Sequence, residues 1–100
     1  MSNPIRIAIN GSNGRMGRAL RELLRDDPRF ALVAQITASD DWKDAPVQDV
    51  VIDFSTPAGL SAALEHCERR GIALVCGTTG IDAALQSRLA AAAKKIPLLY

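Results

Sequence analysis

Short apolar runs alternate with longer stretches of helical periodicity, and this alternation constrains the fold more than any other feature. The apolar runs cover residues 5–9, 30–37, 49–54, 72–76 and 97–100. Their short length and β-branched content are typical of strands, and residues 49–54 are apolar almost throughout, as in a parallel strand covered on both faces. Strands joined through helices by short links run parallel with right-handed crossovers. The sequence therefore predicts an α/β fold with a doubly wound, mainly parallel open sheet and helices on both faces.

Three helices are predicted between these strands. The first covers residues 14–26, the second begins near Pro57 and ends at Gly71, and the third begins after Asp82 and ends near Lys95. Residues 38–48 are polar, include a proline and show neither the helical nor the strand period of apolar residues, so we expect a loop there. The apolar faces of the three helices are, in order, Met16, Leu20, Leu23 and Leu24; Leu60, Ala63, Leu64 and Cys67; and Leu85, Leu89 and Ala92.

Length, charge and hydropathy exclude several classes of protein. One hundred residues suit one domain, residues 1–100, and 48% hydrophobic content suits a globular chain. Twelve Lys and Arg residues against eleven Asp and Glu leave a net charge of +1, which argues against nucleic acid or an acidic membrane as partner. Because no apolar run approaches the ~18–20 residues of a membrane span, and no signal-peptide pattern is seen, we expect a cytoplasmic protein.

The cysteines and the single histidine predict no metal site. Cys67 and Cys76 lie in apolar patterns, so we expect small buried side chains rather than a disulfide. His66, next to Cys67, is expected at the surface or at the boundary of the core. Two cysteines and one histidine without close spacing do not form a zinc or iron ligand set.

The segment "NGSNGRMGRAL", residues 10–20, places glycines at positions 11, 14 and 17 between a strand and a helix. A helix N-terminus carries unpaired N–H groups and partial positive charge, and glycines admit a pyrophosphate close to that backbone. Gly11 would make the tight turn, Gly14 would allow the close approach, and Gly17 would let the helix pack on the sheet. The pattern predicts a dinucleotide site in a Rossmann-type fold, with a turn that serves only tight packing as the alternative.

The recognition of the ribose stays open at this point. Dinucleotide-binding units usually carry an acid about 20 residues past the glycines, where this chain has Thr37. The nearest acids, Asp40 and Asp41, lie in the loop, and no arginine follows Thr37. Arg15 could reach an adenosine phosphate or stack on adenine, or it could be a solvated side chain. The sequence does not distinguish NADH from NADPH.

Three segments together carry a family resemblance. "NGSNGRMGRAL", "VVIDFSTPAG" and "VCGTTG", followed by "IPLLY", resemble 4-hydroxy-tetrahydrodipicolinate reductase, also called dihydrodipicolinate reductase, over essentially the whole chain. The resemblance implies a pyrophosphate loop, a segment along the nicotinamide end, a strand-end piece beside the cofactor and a ribose-end position. In that order, the residues implied are Gly11, Ser12, Asn13, Gly14, Arg15 and Met16; Gly77, Thr78 and Thr79; Phe54 with Ser55; and Thr37.

The resemblance also implies an activity that needs more than these residues. Members of the family reduce a cyclic unsaturated acid with NADH or NADPH on the diaminopimelate route to lysine. Their substrate-binding and catalytic residues lie in a second domain that mediates much of the contact in a homotetramer. We therefore expect residues 1–100 to be the amino-terminal cofactor domain, with no catalytic residue of its own, and to be inactive alone.

Three other interpretations remain open. The chain could be the cofactor domain of another amino-acid dehydrogenase, although the spacing of "DFSTP" and "GTTG" argues against this. It could be a non-catalytic module that binds a nucleotide or coenzyme A. It could also be a structural fragment that binds nothing.

Overall fold

Five parallel strands form one sheet in the computed structural model, which describes residues 3–100. The strands are β1 (Ile5–Asn10), β2 (Phe30–Ile36), β3 (Val50–Asp53), β4 (Ala73–Cys76) and β5 (Leu98–Leu99). Their spatial order is β2-β1-β3-β4-β5, and every neighbouring pair is parallel. The chain moves from β1 outward to β2 and then returns past β1 to β3. The strand order therefore reverses between β1 and β3, which is where open α/β sheets bind ligands.

The helices are α1 (Arg15–Arg25), α2 (Pro57–Arg70) and α3 (Ala83–Ala92). Because the crossovers from β1 and from β3 run in opposite directions, right-handed connections place α1 on one face and the other two helices on the opposite face. This arrangement confirms the predicted doubly wound α/β class. No helix within residues 3–100 is long and apolar enough to cross a membrane.

The main core lies between the sheet and the pair α2 and α3. Ala8 pairs with Val51, which pairs with Leu74, so one row of side chains crosses three strands on this face. The predicted apolar faces of α2 and α3 pack on that row and are buried, as expected: Leu60, Ala63, Leu64, Cys67, Leu85, Leu89 and Ala92. Burial raises the pKa of Cys67 to about 12, with Asp53 adding to the effect, so this cysteine is held as a thiol.

The predicted apolar face of α1 is partly wrong. Met16 is 49% exposed and Leu23 is 74% exposed, whereas Leu20 and Leu24 are half-buried. Gly17 is the one buried residue of α1, because the helix approaches the turn after β1 at this point. Close backbone contact, which an apolar period does not reveal, therefore sets the orientation of α1.

Several predicted helix ends are confirmed by their hydrogen bonds. The Thr56 side chain accepts a hydrogen bond from the Gly59 backbone N–H, with Pro57 at the first turn of α2. Gly71 ends that helix at φ +68, and Asp82 caps α3 by accepting from the Leu85 N–H. The predicted loop at residues 38–48 contains one short 3-10 helix, Trp42–Asp44, and α3 ends at Ala92, earlier than predicted.

Candidate functional site

A cleft of about 550 Å³ lies at the carboxyl ends of β1, β2 and β3, where the strand order reverses. Its walls are the glycine turn after β1, the loop after β2, and the segment that joins β3 to α2. The lining residues are Asn10, Gly11, Asn13, Gly14, Ile36, Thr37, Ala38, Asp40, Trp42, Phe54, Ser55, Thr56, Ala58, Gly59 and Ala62. This is the place where a doubly wound sheet is expected to hold a nucleotide.

The three glycines of the turn meet different surroundings. Gly11 has φ +83, and a Cβ there would lie 2.4 Å from the Phe54 carbonyl oxygen, so only glycine fits this tight turn. A Cβ on Gly17 would lie 2.4 Å from the Gly11 carbonyl oxygen, so this glycine permits the close packing of α1. Gly14 is exposed and would meet nothing closer than 3.4 Å. Gly14 therefore leaves open space beside the backbone at the start of α1, and this space is called the cradle below.

The start of α1 offers backbone donors to an anion. Gly14 is the N-cap residue, and α1 has no side-chain cap and no acid in its first turn. The N–H groups of the first helical turn, at Arg15, Met16 and Gly17, have no carbonyl four residues back within the helix. Such donors, with the positive end of the helix dipole, favour a phosphate.

A buried carboxylate joins the ends of three neighbouring strands. Asp53, at the end of β3, is 0% exposed. Its Oδ1 accepts hydrogen bonds from Asn10 Nδ2 at 2.8 Å and from Ser55 Oγ at 2.5 Å, and its Oδ2 accepts one from the Thr78 hydroxyl. Asn10 Nδ2 also donates to the Gly59 carbonyl at 3.0 Å. This polar cluster, Asn10, Asp53, Ser55 and Thr78, fixes the relative positions of the cleft walls.

The segment after β4 continues the same rim beside Phe54. The Gly77 N–H donates to the Asp53 carbonyl at 2.7 Å, and a Cβ on Gly77 would overlap the Phe54 ring. Thr78 is buried, and its hydroxyl accepts from the Ser55 N–H at 3.0 Å besides donating to Asp53. Thr79 is exposed. The hydroxyl of Thr78 therefore holds two strand ends together.

A model of one known family matches the chain. The model described as "Dihydrodipicolinate reductase, N-terminus" covers residues 5–100. The chain belongs to the dihydrodipicolinate reductase family. This membership confirms the resemblance carried by the glycine turn and the two later motifs.

Relatives in the dihydrodipicolinate reductase family share over a third of their aligned residues with this chain. A 4-hydroxy-tetrahydrodipicolinate reductase of Xanthomonas campestris pv. campestris (strain B100) is 36% identical over 114 residues, covering 99% of this chain and 48% of that protein. One from Stenotrophomonas maltophilia (strain R551-3) is 39% identical over 113 residues, covering 97% and 47%. The chain thus spans about half the length of these curated relatives.

A solved structure of the family shares the fold. Dipicolinate-bound dihydrodipicolinate reductase from Paenisporosarcina sp. TG-14 superposes with a TM-score of 0.67 at 23% identity. The match covers 87% of this chain and 42% of that one. The likeness supports the Rossmann-type architecture seen here.

The structure brings together only part of the residue set that membership of the dihydrodipicolinate reductase family implied. Six of these residues line the cleft: Gly11, Asn13, Gly14, Thr37, Phe54 and Ser55. The others lie next to it: Ser12 is buried under the turn, Arg15 and Met16 are exposed on the first turn of α1, and Gly77, Thr78 and Thr79 lie on the rim after β4. A group of at least three His, Cys, Asp or Glu side chains able to hold a metal ion is not found among residues 3–100.

Sequence reasoning missed the polar residues that end β1 and β3. Asn10 and Asp53 are each the last residue of their strand and directly follow apolar residues, and they pair with each other across the sheet. A lone polar residue at the end of a buried strand was the available signal, because it lies at the ligand-binding edge. Their roles became visible only when the strand register was known.

Sequence reasoning also missed an aromatic pair behind the cleft. Trp42 lines the cleft and stacks on His66, with ring centroids 4.6 Å apart and an interplanar angle of 26°. His66 is 7% exposed and therefore buried, not at the surface or the boundary as expected, and its Nε2 lies 3.0 Å from Gln48 Oε1. Burial, with the positive charges of Arg70 and Arg69, lowers the pKa of His66. The position behind the tryptophan thus favours the neutral form of the imidazole.

Replacing His66 with glutamine should remove part of the acid sensitivity of the fold. Since the folded-state pKa lies below its usual value of 6.5, the unfolded chain binds the proton better. The stability that His66 contributes is complete above the unfolded pKa and is lost as the pH falls through about 6.5 towards the folded pKa. Urea unfolding from about pH 7 to about pH 5 should show a shallower loss in His66→Gln than in the wild type. Parallel curves for both proteins would contradict this assignment, since the chain has one histidine.

Proposed function

We propose that residues 1–100 form the domain that binds NADH or NADPH in a reductase of the diaminopimelate route to lysine. The reaction would be that in the names of its relatives, the reduction of 4-hydroxy-tetrahydrodipicolinate, or dihydrodipicolinate, to tetrahydrodipicolinate. The observation that carries the proposal is the open space at Gly14. It lies beside the cleft where the strand order reverses, in a chain that matches the reductase family. The proposal extends to a cytoplasmic homotetramer in which the remaining half of the protein supplies the substrate-binding and catalytic residues.

The residues present fit a dinucleotide in three respects. The unpaired N–H groups at the start of α1 and the missing Cβ at Gly14 suit the pyrophosphate. Thr37, Asp40 and Trp42 form the end of the cleft that suits the adenosine. The rim formed by Phe54 and residues 77–79 would lie along the nicotinamide end.

The chain's own contribution is to bind and orient the cofactor, which supplies a hydride when it is bound. The Asp53 cluster holds three strand ends in one arrangement through buried hydrogen bonds. The walls that follow β1 and β3 are thereby held in place, so binding does not have to order them.

Replacing Gly14 with alanine should weaken cofactor binding while leaving the fold in place. The new methyl group has room in the protein but enters the cradle where the pyrophosphate would lie. Titration of the ¹⁵N-labelled chain with NADH should shift the amide signals of residues 11–17, and Gly14→Ala should raise the Kd by roughly tenfold, the loss of about one charge-assisted hydrogen bond.

The same spectra provide the control and the opposing outcome. Signals outside the cleft should be unchanged in Gly14→Ala, which shows that the variant is folded. Absence of any shift in residues 11–17 of the wild type at millimolar NADH and NADPH would overturn the proposal. Equal shifts with coenzyme A and NADH would favour a general nucleotide-binding module instead.

A further inference from the structure

We infer that the carboxylate of Asp40 binds the adenosine ribose and makes this domain select NADH over NADPH. The inference rests on the proposed function and assigns its cofactor preference to one side chain. Dinucleotide-binding units usually carry a ribose-binding acid at the end of β2, and this chain has Thr37 there. Asp40 would supply the missing carboxylate.

A tight turn over residues 37–40 places Asp40 next to Thr37 at the end of β2. The Asp40 N–H donates to the Thr37 carbonyl at 3.1 Å. Its Oδ2 accepts from the Thr37 N–H at 2.7 Å and from the Thr37 hydroxyl at 2.9 Å. The carboxylate is therefore held three residues further along the chain, but at the strand end where dinucleotide-binding units present an acid.

The turn leaves one carboxylate oxygen available to a ligand. Both hydrogen bonds from Thr37 go to Oδ2, and no donor from residues 3–100 is bonded to Oδ1. Asp40 is exposed and lines the cleft. A carboxylate oxygen facing a ribose would accept hydrogen bonds from its 2′- and 3′-hydroxyls, and such charge-assisted bonds are stronger than neutral ones.

The charge of the cleft disfavours a 2′-phosphate. Asp40 is the one ionisable side chain among the described residues that line the cleft. Arg15, the cation that the glycine turn offered for this role, is exposed on α1 and does not line the cleft. A 2′-phosphate would thus meet a carboxylate with no lining cation to compensate, which raises its free energy.

Thr37 cannot replace Asp40 in this role. Its hydroxyl proton is directed to Asp40 Oδ2, with Ser39 Oγ also 3.1 Å away. The neighbouring Asp41 does not line the cleft: it accepts from the Lys43 N–H at 2.9 Å and lines an adjacent depression, which Asp40 also borders. Two adjacent exposed aspartates therefore differ in their placement: Asp40 lines the cleft, whereas Asp41 lies outside it and pairs with Lys43 at 3.5 Å.

The test compares Asp40→Asn with Asp41→Asn by calorimetric titration of the chain with NADH and with NADPH. The wild type should bind NADH more tightly. Asp40→Asn should weaken NADH and strengthen NADPH, so that the ratio of their Kd values changes by at least about tenfold. Asp41→Asn should keep the wild-type ratio. A second variant, Asp40→Ser, should reproduce the change, and the amide spectrum of each variant reports whether it is folded.

The outcomes separate this inference from the proposed function. If neither cofactor binds the wild type, both the proposed function and the inference fail. If both bind with equal affinity, or if NADPH binds more tightly, the cofactor domain stands and the role of Asp40 is overturned. An equal change of ratio in Asp41→Asn would also overturn it, because a general charge effect would then explain the preference.

Discussion

Replacing Asp53 with alanine lowers the free energy of unfolding by about 2–4 kcal/mol, the expected result of removing a buried acceptor that serves three donors. Asn10, Ser55 and Thr78 all donate to this fully buried carboxylate. Without it, the Thr78 hydroxyl loses its acceptor in a site that water does not reach. The loss should also loosen the ends of β1, β3 and β4, of which the first two carry walls of the cleft.

Urea unfolding at neutral pH measures this effect, and two further variants calibrate it. Asp53→Asn keeps one carbonyl acceptor and should fall between the wild type and Asp53→Ala. Asp49→Ala removes an exposed carboxylate that pairs with Arg6 at 2.9 Å, and it should be much less destabilising because water screens that pair. Equal losses for Asp49→Ala and Asp53→Ala would show that the buried cluster has no special contribution.

Replacing Gly17 with alanine should destabilise the fold by about 2–3 kcal/mol, although alanine is the better helix former by about 1 kcal/mol. The added Cβ would lie 2.4 Å from the Gly11 carbonyl oxygen and 2.8 Å from Ser12 Cα. These are backbone atoms, which cannot rotate away as a side chain would. The helix α1 must therefore shift from the turn after β1, and the cradle at Gly14 shifts with it.

Gly14→Ala is the matched control, because it adds the same methyl group to the same turn. Its Cβ would have no contact closer than 3.4 Å, and the cost at this helix N-cap should stay below about 1 kcal/mol. Thermal unfolding of both variants measures the difference. A Gly17→Ala protein as stable as Gly14→Ala would mean that α1 does not depend on close packing at this point.

The two glycine variants also separate binding from folding. Gly14→Ala should lose cofactor affinity in a stable protein, whereas Gly17→Ala should lose both stability and affinity. Three glycines at equal spacing in "GSNGRMG" therefore have different roles. Gly11 permits the turn, Gly14 leaves space for a ligand, and Gly17 permits helix packing.

Local patterns predicted most of the fold because each element carries its own signals. The apolar faces of α2 and α3 were predicted residue by residue, since both helices pack broadly on the sheet and bury every member of the predicted set. The starts of α2 near Pro57 and of α3 after Asp82 were predicted for a similar reason, because capping depends on a side chain and a backbone group three residues apart. The α1 face was predicted less well, because its packing depends on Gly17, which adds no apolar signal.

The candidate site also has parts that the sequence predicts and parts that it does not. The glycine turn and the rim after β4 were predicted because they are contiguous motifs at strand ends. The pairing of Asn10 with Asp53 depends on residues 43 positions apart, and the stack of Trp42 on His66 depends on a loop without periodicity. No local rule places such groups together.

Patterns in the sequence predict the order of strands and helices, the parallel sheet, the family and the edge of the sheet where we propose that a nucleotide binds. These follow from short-range physics: the period of apolar residues, capping, and the backbone freedom of glycine. Which polar side chains meet at that edge is known from the three-dimensional structure alone. It returned Asp40 to Thr37 at the end of β2, buried Asp53 among three donors and directed Asp41 away from the cleft. Those placements depend on loop path and strand register, which are set by packing of the whole chain.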